Sequence, residues 1–420
     1  MSPSRPMSPS RPLSRTSRRG GVYLLALVTG VVITGMVMTA LALTSAQRAR
    51  VQLVEQTDGA HSAARSGLEI GASLLAADPE GAAWRADVGP YTALSNTGLG
   101  DASLTLSFLD PDDAKLSNSI GDAVEVRADA TLGGARQILA ARFLPTRENL
   151  PVLSSPLWAG GALQFTGATV FGSVAIGSNT SAAASSSAIT APVKAPVITG
   201  GTYAGGTRVV SAVRLPAASV IDTWVGKGVV ATWPSGGNLR NLVLGPNYNP
   251  LGGGTSPQGI YVINCAGRNL DIRNCRIVGT LILLDPGSGS FISKSNSFEL
   301  RCGQPTLLIR GSMRVSMDSS DLRESQNGVN YNPASVPHRG NANTSTSDSY
   351  ASVLSGVSYA TGNLTLDTGT TISGVIIAKG SISLSDRVTL RHSPVTTPIE
   401  GFDMVQQFTV QPGSVRRVIP

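Results

Sequence analysis

Residues 18–52 read RRGGVYLLALVTGVVITGMVMTALALTSAQRARVQ, and this stretch decides the architecture of the chain. No charged residue lies between Arg19 and Arg48. A helix rises about 1.5 Å per residue and needs about 20 apolar residues to cross a bilayer, so the run can span a membrane. A cleaved signal has a shorter apolar centre of about 7–15 residues. We therefore expect a retained transmembrane helix over residues 20–47, although Ala40-Leu41-Ala42 resembles a signal cleavage site.

The charges before this helix predict its orientation. Five arginines and no acidic residue lie in residues 1–19, so this basic, disordered segment is expected in the cytoplasm. The bulk of the chain is then periplasmic or extracellular, on a single-pass protein of the cytoplasmic membrane. Of 33 Lys and Arg against 26 Asp and Glu, these five leave 28 against 26 for the remainder. A nucleic-acid partner is not expected from so even a balance, with aromatic residues only 5% of the chain.

Beyond the apolar run, residues 48–80 are predicted to continue the helix with one face packed on a soluble domain. The apolar positions at helical spacing are Val51, Val54, Ala60, Ala64, Leu68 and Leu75.

Residues 81–150 are predicted to form a small antiparallel sheet domain. Apolar and polar residues alternate in 103–109, 123–132 and 135–144, which favours three strands with one buried face each. Gly133-Gly134 suits a tight turn between the last two. The sheet and the amphipathic helix can bury their apolar faces against each other, which gives an α+β N-terminal domain.

This order of elements resembles the type IV minor pilins and the type II secretion pseudopilins. The resemblance covers about residues 15–145: basic residues and glycine, an apolar helix, its continuation AHSAARSGLEIGASLLAADPEGAAWR (60–85), then a three-stranded sheet. It implies peptidase cleavage between Gly21 and Val22 and side-by-side packing of helices in a filament. Most such subunits have glutamate at the fifth mature position, where this chain has Ala26. The alternative is a plain membrane anchor before an unrelated domain.

The loop after the first predicted strand carries Asp110, Asp112 and Asp113. Hard oxygen ligands can hold calcium, and some pseudopilins bind it in a comparable loop. The spacing matches no EF-hand, and Asp-Pro-Asp is an ordinary turn sequence, so a solvated turn is the alternative. No cofactor is expected.

Residues 151–395 have a different character, with short β-branched runs and an internal repeat. ALQFTGATVFGSVAI (162–176) aligns with NLDIRNCRIVGTLIL (269–283), so that Phe165 matches Ile272 and Val174 matches Leu281. A third copy, NLTLDTGTTISGVII, occupies 363–377. Repeats that bury little alone gain stability by stacking, which predicts a mostly-β domain, most simply a right-handed parallel β-helix. A β-sandwich is the alternative, and 396–420 is predicted to be a C-terminal tail.

Within this domain, Trp224 and Trp233 are candidates to cover an end of the solenoid or to line a sugar-binding groove. Cys265, Cys275 and Cys302 fit no metal-binding spacing, and their disulfide state is left open. The three histidines are also too scattered for a metal motif.

The best catalytic candidate is SMDSSDLRES, which holds Asp318, Asp321, Arg323 and Glu324. Asp318 and Asp321 are three residues apart and face opposite ways in a strand, so no catalytic pair is predicted. We expect a non-enzymatic envelope protein of assembly, adhesion or secretion. Its expected partners are the lipid bilayer, other pilin-like subunits or a secretion apparatus, and polysaccharide. The alternative is a membrane-anchored polysaccharide lyase or glycoside hydrolase.

Overall fold

The computed structural model describes residues 18–85, 89–116 and 120–419. The first 17 residues of the predicted disordered segment lie outside these ranges. The chain divides into two compact units, unit 1 within Met1–Pro145 and Gln407–Pro420, and unit 2 comprising Thr146–Gln406. As predicted, a long apolar N-terminal helix precedes a mostly-β chain.

The helices are α1 Arg18–Ala77, α2 Val220–Val225 and α3 Glu324–Asn327, and short 3-10 turns occupy Pro151–Ser154 and Ser235–Gly237. The strands are, in chain order, β1 Tyr91–Leu99, β2 Ala102–Leu109, β3 Val124–Leu132, β4 Ala135–Asn149, β5 Leu157–Ala159, β6 Leu163–Phe171, β7 Ile176–Ser178, β8 Ser181–Ser185, β9 Ala188–Ile189, β10 Val193–Ala195, β11 Val197–Thr199, β12 Thr202–Tyr203, β13 Thr207–Val209, β14 Val229–Val230, β15 Asn238–Leu244, β16 Ile260–Asn264, β17 Asp271–Val278, β18 Thr280–Leu284, β19 Phe291–Lys294, β20 Ser297–Glu299, β21 Leu307–Arg310, β22 Met313–Met317, β23 Leu322–Arg323, β24 Ser349–Tyr350, β25 Val353–Ala360, β26 Leu364–Leu366, β27 Thr371–Ala378, β28 Ile382–Arg391, β29 Asp403–Val410 and β30 Arg416–Val418.

Unit 1 contains an antiparallel sheet in the order β1-β2-β3-β4, with β29 and β30 along the far side of β4. The three strands predicted from alternation are β2, β3 and β4. The segment 396–420 differs from the predicted tail, because β29 and β30 join the sheet. β1 was not anticipated, since its outward and inward positions do not alternate cleanly.

Small residues let α1 lie close against β2 and β3. Its buried face consists of positions spaced three and four apart: Ala60, Ala63, Ala64, Gly67, Leu68, Gly71 and Leu75. A Cβ added at Gly67 would lie 2.8 Å from the Cβ of Ala128, and one at Gly71 would lie 2.5 Å from a methyl carbon of Val126. The predicted packing of Ala60, Ala64, Leu68 and Leu75 is therefore confirmed, whereas Val51 and Val54 are exposed.

Gly71→Val is expected to destabilise unit 1 by about 1–3 kcal/mol, because the new side chain would push α1 off the sheet. Ser73→Val is the matched control, since Ser73 lies on the same turn but is exposed. Hydrogen exchange of the β2 and β3 amides in the full-length protein measures the effect. Equal exchange in the two variants would contradict the close packing.

Unit 2 is built on a 22-stranded sheet whose strand pairs are all parallel. The strands stack in three ladders that surround one hydrophobic core. The first ladder runs β14-β16-β18-β21-β25-β27-β5-β7-β10-β13. The second runs β15-β17-β19-β22-β26-β28-β6-β8-β11. The third runs β15-β17-β20-β25-β27-β28-β6-β9-β12.

The stacking order departs from the chain order. Strands β27 and β28, from the end of unit 2, pair with β5 and β6 from its beginning. The stack therefore starts at β14, runs to β28 and continues through β5 to β13. Residues 210–228 return the chain from β13 to β14, and their apolar side chains pack with outward residues of the first ladder such as Ile282 and Leu308.

The internal repeat corresponds to real structural positions. Phe165, Ile272 and Leu366 occupy one inward row of the second ladder, as the repeat alignment predicts. In the first ladder the alignment is wrong by two residues. Ile176, rather than Val174, shares the row of Leu281, because the connection after β6 is longer than its counterpart after β17.

Glycine is required where the third ladder turns into the first. Gly279 and Gly374 have φ angles of +113° and +155°, and an added Cβ would lie 2.5 Å and 2.1 Å from the carbonyl oxygens of Gly259 and Gly356. Only a residue without Cβ can bring neighbouring turns this close.

Gly374→Ala should lower the stability of unit 2 by about 3 kcal/mol, through the unfavourable φ and the contact with Gly356. Gly226→Ala is the control, since Gly226 has a φ of −62° and its added Cβ would find no atom nearer than 3.5 Å. Urea unfolding of both full-length variants, followed by hydrogen exchange in β25 and β27, makes the comparison. A Gly374→Ala protein as stable as the control would contradict this role of the glycine.

Candidate functional site: the uncovered part of the long helix

The most unusual surface of the protein is the first part of α1. Every described side chain from Gly21 to Glu55 is exposed, including large apolar ones such as Tyr23 at 81% and Leu25 at 70%. An 18-residue window here has a mean hydropathy of 2.3, so α1 is long and apolar enough to cross a membrane. Such a surface calls for a covering of lipid or of other helices.

The threonine and serine hydroxyls in this apolar run are satisfied by the helix itself. The hydroxyls of Thr29, Thr34, Thr39 and Thr44 each donate to the carbonyl oxygen four residues earlier, at 2.7–2.8 Å. Ser45 donates to the Ala42 carbonyl at 2.9 Å. Polar groups that leave water need a partner, and these need none from outside. The segment thus suits an apolar surrounding better than its threonine content indicates.

The predicted processing site lies at the beginning of this surface. Gly21 and Val22 are consecutive residues of α1, and both are exposed. A Cβ added at Gly21 would meet no atom within 4 Å, so the fold does not explain this glycine. Cleavage between Gly21 and Val22 stays a prediction. Ala26 is also exposed. It occupies the position at which most subunits of the pilin families that this chain resembles have glutamate.

The carboxylates of the predicted calcium loop have protein partners. One oxygen of Asp110 accepts hydrogen bonds from the backbone of Asp112 and Asp113, at 2.7 and 3.2 Å. Asp113 accepts from the backbone of Lys115, and Asp112 forms an ion pair with Arg142 at 2.8 Å. Within the described ranges there is no group of three or more His, Cys, Asp or Glu side chains placed to hold a metal. The arrangement is that of a turn capping its own backbone, and calcium binding stays a prediction.

The candidate catalytic carboxylates are directed to different partners. Asp318 pairs with Lys294 at 3.8 Å, and Asp321 accepts a hydrogen bond from Ser349. Glu324 is fully buried, with oxygens that accept from the backbone of Tyr331 and Asp348 at 2.7 and 2.9 Å. The structure therefore gives Glu324 a structural role.

Unit 2 also has an open cleft of about 720 Å³. Glu400 is the one carboxylate among the described residues that line it, and it pairs with Lys227. Trp224, at the cleft wall, is 3% exposed and donates from its ring nitrogen to the Glu400 carbonyl. Trp233 packs on the core with Arg268 stacked 3.9 Å from its ring centre. Trp224 is thus a packing residue on the outside of the first ladder, and not a platform for sugars.

The cysteines are free thiols of two kinds. Cys265 and Cys275 are buried, and burial raises the pKa of their thiols to about 11 and about 12. They are therefore protonated and unreactive near neutral pH. Cys302 is exposed and lies 3.4 Å from the Thr397 hydroxyl.

Unit 2 contains a buried ionic network that the sequence patterns did not predict. Arg276 is fully buried, makes a two-pronged ion pair with Glu299 at 2.6 and 2.9 Å, and donates to the carbonyls of Tyr331 and Val336 at 2.7 and 2.8 Å. These bonds fasten the long segment 325–349 to the sheet. Burial of the segment also raises the pKa of the Tyr331 hydroxyl. A lone arginine in a strand pattern does not indicate that its carboxylate partner lies 23 residues away and its carbonyl partners 55 and 60 residues away.

Arg276→Met should release segment 325–349, because the carbonyls lose their donor and Glu299 loses its counter-ion. Trypsin cleavage after Arg339 in the full-length protein should become at least tenfold faster. Arg240→Met is the control, since Arg240 pairs with Asp271 but is 43% exposed. Unchanged cleavage in Arg276→Met would show that other contacts hold the segment.

No family model matches the chain, and no curated protein matches it. Among solved structures, the competence-associated pilin ComZ from Thermus thermophilus is 12% identical, with a TM-score of 0.33, over 86% of this chain and 98% of that one. An ice-binding protein from the Antarctic ascomycete Antarctomyces psychrotrophicus is 12% identical, with a TM-score of 0.29, over 59% of this chain and 100% of that one.

A third structure, the DUF3494 domain of an ice-binding protein from Shewanella frigidimarina, is 12% identical with a TM-score of 0.27, and covers 59% of this chain and 99% of that one. TM-scores this low do not establish a common fold. The pilin and ice-binding roles remain those of the proteins compared.

Proposed function

We propose that this protein is a non-enzymatic, single-pass, pilin-like component of a cell envelope. In this proposal α1 anchors the chain in the cytoplasmic membrane, with its N-terminus in the cytoplasm. Unit 2 is exported and presented for assembly, adhesion or a secretion-related structure. Its partners are the lipid bilayer, other pilin-like subunits and, on the exported side, polysaccharide.

The observation that carries the proposal is the division of α1 into two parts. Its first part is apolar, uncovered and internally hydrogen-bonded, whereas its second part packs through small residues on an antiparallel sheet. One helix thus joins an apolar phase to a folded domain in water. A buried core helix would be covered along its whole length, and a removed signal would not continue into the packed part.

We infer further that unit 2 is a right-handed parallel β-helix. The support is the pairing of each strand with strands one turn away in three ladders around a single core. Hydrogen bonds between turns then satisfy the backbone N–H and C=O groups of the strands along the domain. Such a stack is stiff, which suits presentation of a surface at a distance from the membrane.

The N-terminal sequence and membrane partition of the mature protein from its own host test the first proposal. We expect a chain that begins at Val22 and stays in the membrane fraction until detergent is added. Gly21→Leu should retain the preceding residues, while Gly30→Leu, further along the same exposed helix, should be processed normally. A soluble chain lacking α1 would overturn the proposal.

The proposal excludes catalysis by the carboxylates of segment 315–325. Asp318→Asn with Asp321→Asn in the intact protein should leave any polysaccharide turnover unchanged. Turnover that is present in the natural protein and lost in this variant would favour the anchored lyase or hydrolase.

A second candidate function is binding to a flat, regular surface such as ice. The observation that favours it is a row of outward hydroxyl side chains, Ser385, Thr166 and Ser185, on neighbouring strands of the second ladder. Neighbouring strands lie about 4.8 Å apart, so the hydroxyls repeat at even spacing on a rigid face. Ice is named as the surface because ice-binding proteins are among the structures compared. The proposal itself rests on the row of hydroxyl side chains.

Thermal hysteresis of the detergent-solubilised protein tests this candidate. If the row contacts ice, Thr166→Tyr should abolish hysteresis by disrupting the flat face, while Thr365→Tyr, two strands away in the same ladder and outside the row, should reduce it less. Absence of hysteresis in the natural protein would remove this candidate.

A further inference from the structure

The outward side of the third ladder carries an exposed aromatic ring. Phe171, the last residue of β6, is 39% exposed. Unit 2 is described throughout, and Phe171 is the one exposed aromatic residue in it. Its counterpart on the inward side of the same strand, Phe165, is buried in the core. A ring left in water on a sheet surface gains stability when a ligand covers it, because apolar area is removed from water.

Two arginines flank this ring. Phe171 pairs with Thr389 of β28, and Arg387 and Arg391 lie two residues before and two residues after Thr389. Residues two apart in a strand point to the same face, so both arginines are diagonal neighbours of Phe171. The guanidinium of Arg387 lies 5.1 Å from the centre of the ring. Both arginines are exposed, and neither forms an ion pair within the described part of the chain.

Acidic groups are scarce on this face. The strands that form it are β25, β27, β28, β6, β9 and β12, and Asp386 is the only acidic residue in their sequences. One carboxylate oxygen of Asp386 accepts a hydrogen bond from the backbone N–H of Arg387 at 2.8 Å. Unit 2 as a whole contains 18 Lys and Arg against 13 Asp and Glu. The face therefore has a positive charge that its own carboxylate does not cancel.

Hydroxyl side chains surround the ring and the arginines. Thr371 pairs with Thr389, Ser373 pairs with Arg391, and Thr169 pairs with Arg387. The hydroxyls of Thr169, Thr371, Ser373 and Thr389 form no hydrogen bond with the described part of the protein. Each can therefore donate and accept hydrogen bonds to a ligand. We call Phe171, Arg387, Arg391 and these four hydroxyl residues the Phe171 face.

The composition of the Phe171 face defines the ligand that fits it. The ring needs an apolar surface, the arginines need acidic groups, and the hydroxyls need polar partners. A sugar ring that carries an acidic group has all three, since its C–H surface is apolar and its edge carries hydroxyls. A single-stranded nucleic acid fits less well, because its binding sites stack successive bases on several aromatic residues and Phe171 is a single ring.

We propose that the Phe171 face binds an acidic polysaccharide. This rests on the proposed function, in which polysaccharide is a partner on the exported side. Phe171 covers the apolar side of one sugar ring, and Arg387 and Arg391 hold its acidic group or that of the next ring. Guanidinium groups suit this role because they donate two parallel hydrogen bonds to one carboxylate or sulfate. Binding is non-covalent, and no bond of the polysaccharide is broken.

Binding of the detergent-solubilised full-length protein to immobilised polymers tests the proposal. The acidic probes are polygalacturonate and dextran sulfate, and the neutral ones are methyl-esterified polygalacturonate and dextran. We expect an acidic probe to bind at least about tenfold more tightly than its neutral counterpart. Arg387→Gln with Arg391→Gln should weaken binding about tenfold or more, and Phe171→Thr about fivefold. Phe171→Tyr, which keeps the ring, should bind like the natural protein.

The control removes the same charge from another face. Lys194 and Arg208 pair on β10 and β13 of the first ladder and form no ion pair within the described residues. Lys194→Gln with Arg208→Gln should change the affinity by less than about twofold, since distant exposed charges are screened. An equal loss in the two double variants would show that only net charge matters and would overturn the assignment. Unchanged binding in Phe171→Thr would do the same.

The choice of polymer gives the remaining outcomes. Failure of both acidic probes to bind overturns the proposal, and so does equal binding of acidic and neutral probes. Single-stranded DNA that binds more tightly than the acidic polymers would replace polysaccharide as the ligand. Membrane partition is measured on the same preparations. Chains that stay in the membrane but bind no polymer refute the Phe171 face alone, whereas chains that lack α1 and bind normally refute the proposed anchor alone.

Discussion

Every backbone group that leaves water must find a hydrogen-bond partner, and this constraint shapes both halves of the chain. In α1 the partners lie within the helix, and the threonine hydroxyls use carbonyls of the same helix as well. In unit 2 the partners lie one turn away in the stack, since all pairs of its large sheet are parallel. Hydrogen bonds within α1 are complete without a partner protein. Hydrogen bonds between turns of unit 2 require that neighbouring turns approach closely. Glycines such as Gly279 and Gly374 are the consequence of that approach.

The polar groups buried in unit 2 serve the fold. Arg276, Glu299 and Glu324 hold a long segment against the ladders through backbone carbonyls and amides. Buried ionic groups at such density are a usual reason to look for catalysis. Here Arg276 pairs with Glu299, and Glu324 accepts hydrogen bonds from backbone amides of the segment that it holds.

Local patterns predicted local structure well. The apolar run and the small residues after it define α1, and alternation defines β2, β3 and β4, because burial of one face leaves a period in the sequence. The repeat placed Phe165, Ile272 and Leu366 in one row, since a stacked turn needs the same inward side chain in each copy. Contacts between residues far apart in the chain leave no such period in the sequence. The pairing of β27 with β5, the addition of β29 and β30 to the first sheet, and the partners of Arg276 depend on residues far apart in the chain. The exposed surface of α1 was predictable from its apolar run.

The stacking order of unit 2 also has a consequence for how the domain is made. Strands β5 to β13 are synthesised first, yet the turn on which they rest, β27 and β28, is synthesised about 200 residues later. Until then, β5 and β6 present open edges that can pair with the wrong partner. Contacts this distant in sequence form slowly, since a large loop must close before they stabilise anything. The early strands have to stay free of aggregation until the last turn arrives, which makes maturation, and not the final stability, the vulnerable stage in the life of this protein.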